Sequence, residues 1–409
     1  MTRSIPIRHE TLSPASAPRQ PESSGALALS SLPPLSLYVH VPWCVRKCPY
    51  CDFNSHALVG ELPEADYLAA LQHDLEQALP LVWGRKVISV FLGGGTPSLL
   101  SAASLDRLLA MVRACLPLLP EAEITLEANP GTAEAERFRA FAQAGVNRIS
   151  LGIQSFDDRF LHALGRIHDG QQARQAIAMA QAAVARVNLD LMTGLPGQDL
   201  AALAADLDTA LAFGTEHLSC YDLTLEPNTQ FAKYPPANLP DPDLAADMQD
   251  LTEQRLQANG YERYEVSAYA RPGARSQHNL NYWTFGDYLG IGPGAHSKLS
   301  FHDRILRQAR SRHPQHWMHK ARQGDGSHIA ETRELTADDL PFEFMLNALR
   351  LRDGVSTTLF IERTGLTPVA LQHAVAQATA KGLLHDDPTR LAPTSLGWRF
   401  LNDLQSLFL

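Results

Sequence analysis

A chain of 409 residues, 45% of them hydrophobic, can bury one large core or two ordinary ones, and its pattern argues for two ordered domains behind a tail. A net charge of -9 with a pI near 6.0 excludes a protein that holds nucleic acid by neutralising phosphates, leaving small molecules and proteins as partners. Five cysteines, three of them crowded into one short stretch, suit a metal group in a reducing cytoplasm better than disulfides, and no apolar run reaches the roughly 18 residues of a spanning helix.

Residues 1–34 are rich in Ser, Pro and Gln without apolar periodicity and read as a disordered leader; Pro33 and Pro34 break the only stretch apolar enough for a signal core. From Leu35 short apolar runs alternate with helical patterns. Strands are predicted at Leu35–Val41, Lys86–Leu92, Glu123–Ala128, Arg148–Gln154, Arg186–Met192 and Leu218–Leu225. Helices are predicted over 64–79, 101–116, 132–144, 170–184, 198–213 and 242–259. These units predict an α/β fold, a partial (β/α)6 barrel over 35–260 that stops short of the usual eight repeats. A connecting segment over 261–330 follows. A smaller domain over 331–409 reads as helices at 337–350, 356–363 and 367–381, a turn at Asp386-Asp387-Pro388 and a last helix.

The unusual residues collect at the carboxyl ends of the predicted strands, where barrel sites are built. A cysteine loop follows the first strand and Gly93-Gly94-Gly95-Thr96-Pro97 the second. Glu127 and Gln154 close the third and fourth, and Asp190 lies late in the fifth, ahead of Gly194-Leu-Pro-Gly197.

The loop Tyr38-Val-His-Val-Pro-Trp-Cys44-Val-Arg-Lys-Cys48-Pro-Tyr-Cys51 aims three thiolates inward from one irregular turn. Three sulfurs satisfy three irons of a 4Fe-4S cubane and leave the fourth open, where the amino and carboxylate groups of S-adenosylmethionine (SAM) can chelate it. A zinc ion completed by His40 or His56 is the competing use. Cys115 and Cys220, in a predicted helix and strand, read as core thiols. The three glycines let backbone amides approach the amino-acid part of SAM. Tyr50 offers adenine a ring face or a carbonyl, and Tyr38 reaches in from the first strand. Glu127, Gln154 and Asp190 offer acceptors to ribose hydroxyls and the ammonium, and Arg166 suits the SAM carboxylate or a balance to Glu127.

Tyr38–Cys44, Gly93–Pro97, Leu126–Pro130, Gly152–Phe156, Asp190–Gly197 and His278–Trp283 together closely resemble the HemN/HemW branch of radical SAM proteins, a likeness that runs from about Leu35 to the end of the chain. The resemblance implies that Tyr38, Tyr50, Gly94, Gly95, Thr96, Glu127, Gln154, Arg166 and Asp190 contact SAM. Dehydrogenases of the branch carry a fourth cysteine two residues after the third, where this chain has Phe53. The chain is therefore more similar to the haem chaperones of the branch, which implies a protein that passes haem to an acceptor, by analogy a membrane respiratory protein. Oxygen-independent coproporphyrinogen III dehydrogenation is the alternative. His278-Asn-Leu-Asn-Tyr-Trp283 resembles the branch's haem motif. Its His278 suits haem iron, with Tyr282 and Trp283 flanking the macrocycle, or else ties a loop to the barrel; His296 is a second candidate. A homodimer is compatible with all of this.

The resemblance also implies a winged-helix-like end. Residues 367–380, where a recognition helix would sit, hold no Lys or Arg, so DNA binding is excluded and a lid or an acceptor-docking surface is expected.

Overall fold

The computed structural model describes residues 27–132 and 135–409. Strands β1 (Leu35–Val41), β2 (Val87–Gly94), β3 (Leu118–Ala128), β4 (Arg148–Gln154), β5 (Arg186–Thr193) and β6 (His217–Asp222) lie parallel in chain order, forming a partial barrel. Helices α1 (Glu64–Val82), α2 (Ala102–Cys115), α3 (Ala135–Ala144), α4 (Gly170–Ala183), α5 (Leu200–Ala212) and α6 (Pro242–Ala258) connect or follow them. Side-chain caps from Ser101, Asp169, Asp199 and Asp241 start four of these helices by taking backbone N–H groups that have no helical partner. Helix α1 runs past the predicted stop because Pro80 falls in its last turn. Strand β6 stops short of Leu225 because Leu223 and Leu225 turn into a small core at the barrel mouth with Phe160, Leu164, Met192, Leu195 and Phe231.

The segment expected to connect two domains instead widens the sheet. It carries β7 (Glu262–Arg263), β8 (Ala268–Ala270), α7 (Gln277–Trp283), β9 (Asp287–Ile291), β10 (His296–Ser300), β11 (Ile305–Arg310), α8 (Pro314–Gln323) and β12 (Ile329–Glu334). Strand β9 joins β1 in parallel, β10 to β12 continue antiparallel from it, and β8 and β7 extend the other edge beyond β6. Its polar residues read as a linker because they are buried in pairs. Fully buried Asp287 accepts from Lys298 Nζ (2.9 Å) and Arg85 Nη1 (2.7 Å), and fully buried Asp74 of α1 accepts from Arg310 Nε (3.3 Å) and His328 Nε2 (3.0 Å).

The last domain contains α9 (Leu340–Ala348), α10 (Thr357–Thr364), a 3-10 turn over Pro368–Leu371 and α11 (Gln372–Ala380). Val355–Ser356 pairs with Arg390–Leu391, ahead of two short helices. Its core of Phe344, Phe360, Leu371 and Leu404 takes in Leu280 and Trp283 of α7. Residues 27–34, read from sequence as leader, pack onto this body: the buried Leu29 donates its N–H to His302 O (2.9 Å), and Pro33 O accepts from Arg85. The leader expected over 1–26 lies outside the described residues. Among the described residues no helix is long and apolar enough to cross a membrane.

Candidate metal-cluster and SAM site

Trp43–Cys44 pairs with His56–Ala57, and Leu58 N–H donates to Cys44 O (2.8 Å), closing the base of a loop that carries all three cysteines. The glycine run is laced to the same stretch: Gly95 N–H donates to Val41 O and Thr96 N–H to Trp43 O, each at 2.7 Å. A Cβ on Gly95 would lie 2.5 Å from Trp43 O, and Gly94, at φ +112°, faces the His40 ring with no room for a side chain.

Cys44, Cys48 and Cys51 are half-buried free thiols with hydrogen-bonding neighbours. Arg166 Nη1 donates to Cys48 Sγ (3.6 Å), Ser55 Oγ lies 3.6 Å from Cys51 Sγ, and the Thr96 hydroxyl bonds Cys44. Burial pushes the Cys44 thiol up, and the charges of Cys51 and Cys48 push it further, while hydrogen bonds from Thr96 and Ser55 pull it back. Thiols near enough to repel one another as thiolates are the donor set a polynuclear cation relieves. The zinc alternative loses its fourth ligand. His40 already spends Nδ1 on Tyr38 OH (3.0 Å) and Nε2 on Asn54 O (2.9 Å), and His56 Nε2 bonds Asn54 Oδ1 (3.3 Å).

Around the loop, Gly94 N–H donates to Glu127 Oε2 (3.1 Å). Burial, then the neighbouring Asp190, pushes the Glu127 carboxyl up to about 8. Asp190, also raised by burial, accepts from Asn188 Nδ2 (2.8 Å) and Ser150 Oγ (3.1 Å). Gln154 sits at a break in the β4–β5 register with φ +68°, a conformation a non-glycine residue holds only when its surroundings impose it. Arg166 does not turn to Glu127. It donates to Asn129 Oδ1 and Gly152 O (2.7 Å), leaving its Nε buried without a protein partner. Burial raises the Tyr50 phenol, which packs by Phe231 in the mouth core; Tyr38 stacks on Phe91 at 6.2 Å. The orphaned Nε, the paired acids and the glycine cradle fit a zwitterionic ligand such as the amino-acid part of SAM.

Asn129 escaped the sequence reading. Its Nδ2 donates to Thr96 Oγ1 (2.9 Å) while its Oδ1 takes Arg166, so it links the residues that touch Cys44 and Cys48. Its place one residue before Pro130, in a stretch already singled out, was the available signal.

At the amino ends of the strands, α7 closes the barrel floor. Glu123, buried to 2% exposure, pairs with Arg186 (2.6 Å) and lies 4.0 Å from Arg148, and its Oε1 accepts the N–H groups of Gln277 (3.0 Å) and His278 (3.4 Å). The His278 ring stacks on Phe91 (4.3 Å), near Tyr282 (4.9 Å) and Tyr38 (6.2 Å). Its Nδ1 is buried without a protein partner, and burial, then Arg148, pushes its pKa down to about 3, so the ring is neutral and fit to ligate a metal. Tyr282 stacks on Tyr288 at 4.1 Å and Trp283 lies under Arg350. His296 is exposed at the start of β10. Cys115 and Cys220 pack against the main core.

The Radical SAM superfamily model matches residues 38–210, and the HemN C-terminal domain model matches 335–400. The chain is 50% identical over 380 residues to "Heme chaperone HemW" of Escherichia coli, covering 92% of this chain and 99% of the relative. It is 45% identical to the same-named protein of Haemophilus influenzae and 33% identical to that of Bacillus subtilis, again over 99% of each and 93% and 91% of this chain. The solved coproporphyrinogen III oxidase HemN of Escherichia coli shares the fold, with a TM-score of 0.79 at 24% identity over 92% of this chain and 90% of that one. With such identity along nearly the whole length, the chain belongs to the HemW family of radical SAM proteins.

Proposed function

We propose that this protein is a cytoplasmic haem chaperone: it holds a 4Fe-4S cluster on Cys44, Cys48 and Cys51, binds SAM beside it, and carries haem to an acceptor protein, a membrane respiratory protein by analogy. The observation that carries the reading is Phe53. It stands where the branch's dehydrogenases have a further cysteine, and the residue is 61% exposed. The chaperone relatives support the same choice.

When bound, a reduced cluster supplies an electron to SAM. The chain's own part is to place the ligand. Glu127 keeps its proton near neutral pH until a cation arrives, Asp190 offers a second acceptor, and the free Nε of Arg166 awaits a carboxylate. Gly94, Gly95 and Thr96 form the cradle, with Tyr38, Tyr50 and Gln154 lining it. His278 offers haem a neutral imidazole inside the barrel.

Haem titration of the anaerobically reconstituted protein, followed by incubation with SAM, reductant and coproporphyrinogen III, tests the reading. Saturable haem uptake without protoporphyrinogen is expected. Protoporphyrinogen formation over many turnovers would overturn it in favour of the dehydrogenase.

A further inference from the structure

Two of the three cysteine neighbours, Thr96 and Arg166, belong to the SAM pocket. The third, Ser55, is not among the residues assigned to that pocket. It is 4% exposed, and its side chain meets cysteine sulfur, with Oγ 3.6 Å from Cys51 Sγ and Cys44 also within its hydrogen-bonding reach. Its backbone is held on both sides: Ser55 N–H donates to Phe53 O (2.6 Å), and Ser55 O accepts from Lys47 Nζ (3.1 Å).

The preceding residue anchors the turn. Asn54 Nδ2 donates to Pro293 O and Arg312 O, both at 2.9 Å, and Asn54 O accepts from His40 Nε2 at 2.9 Å. Pro293 lies in the β9–β10 turn, where Gly294, at φ +77°, has no room for a side chain: a Cβ there would lie 2.3 Å from Asn54 Nδ2. The same turn is fastened to the core, since Gly292 N–H donates to the buried Asp74 (3.0 Å). The Gly290-Ile-Gly-Pro-Gly-Ala-His296 motif thus forms an outer wall for the cysteine loop. Ser55 is fixed to that wall.

A metal-bound thiolate carries no proton, so a hydroxyl beside it can only donate. A hydrogen bond to a cluster sulfur favours the more negative, reduced state and raises the reduction potential. We propose that Ser55 raises the reduction potential of the cluster by donating to the Cys51 sulfur, and that Asn54 is the positioning residue that holds it there. The inference rests on the cluster reading above. In the redox step the oxidised cluster gains one electron from a low-potential one-electron donor, and no bond breaks and no proton moves.

The test uses the full chain, reconstituted anaerobically, with cluster content measured by iron, sulfide and absorbance. The midpoint is then read from the electron paramagnetic resonance signal of the reduced cluster in a dithionite titration. Ser55→Ala should load as much cluster as the parent yet hold about tenfold less of it reduced at a fixed poise, equivalent to about 59 mV for a one-electron couple. Ser55→Thr should keep the parent midpoint, and Asn54→Ala should shift it about threefold in the same direction. A fully loaded Ser55→Ala with an unchanged midpoint overturns the proposal. If that variant takes up no cluster, an unchanged midpoint in Asn54→Ala overturns it instead. A parent protein that takes up no cluster refutes the underlying reading.

Discussion

At the mouth of the barrel, three half-buried cysteines ride on a loop whose shape is imposed from outside, by a glycine run on one side and by Asn54 and the β9–β10 turn on the other. At the floor, His278 rides on a short helix capped by a buried acid and wedged between the barrel and the last domain. The mouth holds the orphaned Arg166 Nε beside half-buried thiols, while the floor is buried and ion-paired around Glu123 yet leaves His278 Nδ1, Asn281 Oδ1 and Trp283 Nε1 of α7 without a protein partner. A loop site depends on its neighbours for geometry; a helix site depends on them for stability. Changes at the mouth should therefore erase binding without unfolding the chain, and changes at the floor should do the reverse.

The largest effect is expected at the mouth. Replacing Cys44, Cys48 or Cys51 with Ala should abolish cluster absorbance after anaerobic reconstitution, with the urea midpoint of the apoprotein barely changed. Full retention of the cluster in any one variant removes that ligand from the site. At the floor, Glu123→Ala leaves the buried Arg148 without its carboxylate, leaves Arg186 with the Glu216 carboxylate and removes the acceptor of the Gln277 and His278 N–H groups, and should cost about 3 kcal/mol in urea unfolding. A loss below about 1 kcal/mol would show that the floor does not depend on this network.

His278→Ala crosses the comparison, because it tests a ligand role on the structural side. Haem affinity should fall at least about tenfold, roughly 1.4 kcal/mol, with cluster loading unchanged. An unchanged affinity moves the haem site elsewhere, with His296 the next residue to change.

A further effect is on pH dependence. Burial holds His40 and His168 near 4 and His217 well below the 6.5 of a free imidazole. Between those values the unfolded chain binds protons that the native one refuses. Each of these histidines should therefore cost stability as pH drops from 6.5 toward 4, by up to about 1.4 kcal/mol per pH unit, a loss that the raised carboxyl of Glu127 offsets in part. Urea midpoints at a series of pH values check this, and a flat profile over that range contradicts it.

The alternation of apolar runs with helical patterns was enough to place the six parallel strands, and the bounds of β1 and β4 agree with the structure to the residue. The cysteine loop and the glycine run were legible because each motif is contiguous. Asn129 and Ser55 were not, because their importance lies in a partner's position: Asn129 matters through Thr96 and Arg166, and Ser55 through a sulfur on the far side of its own turn.

The sheet extension was hidden for a related reason. Arg310 and Asp74 are 236 residues apart in sequence, and each alone looks like a surface charge. Local periodicity and contiguous motifs determined by themselves the partial barrel, the cluster loop and the family to which it belongs. Only the tertiary structure decided that 261–330 extends the sheet at both edges, that its glycine turn walls the cysteine loop, and that His278 faces the barrel interior. Buried polar pairs become favourable only when distant segments meet, and no local pattern records that meeting.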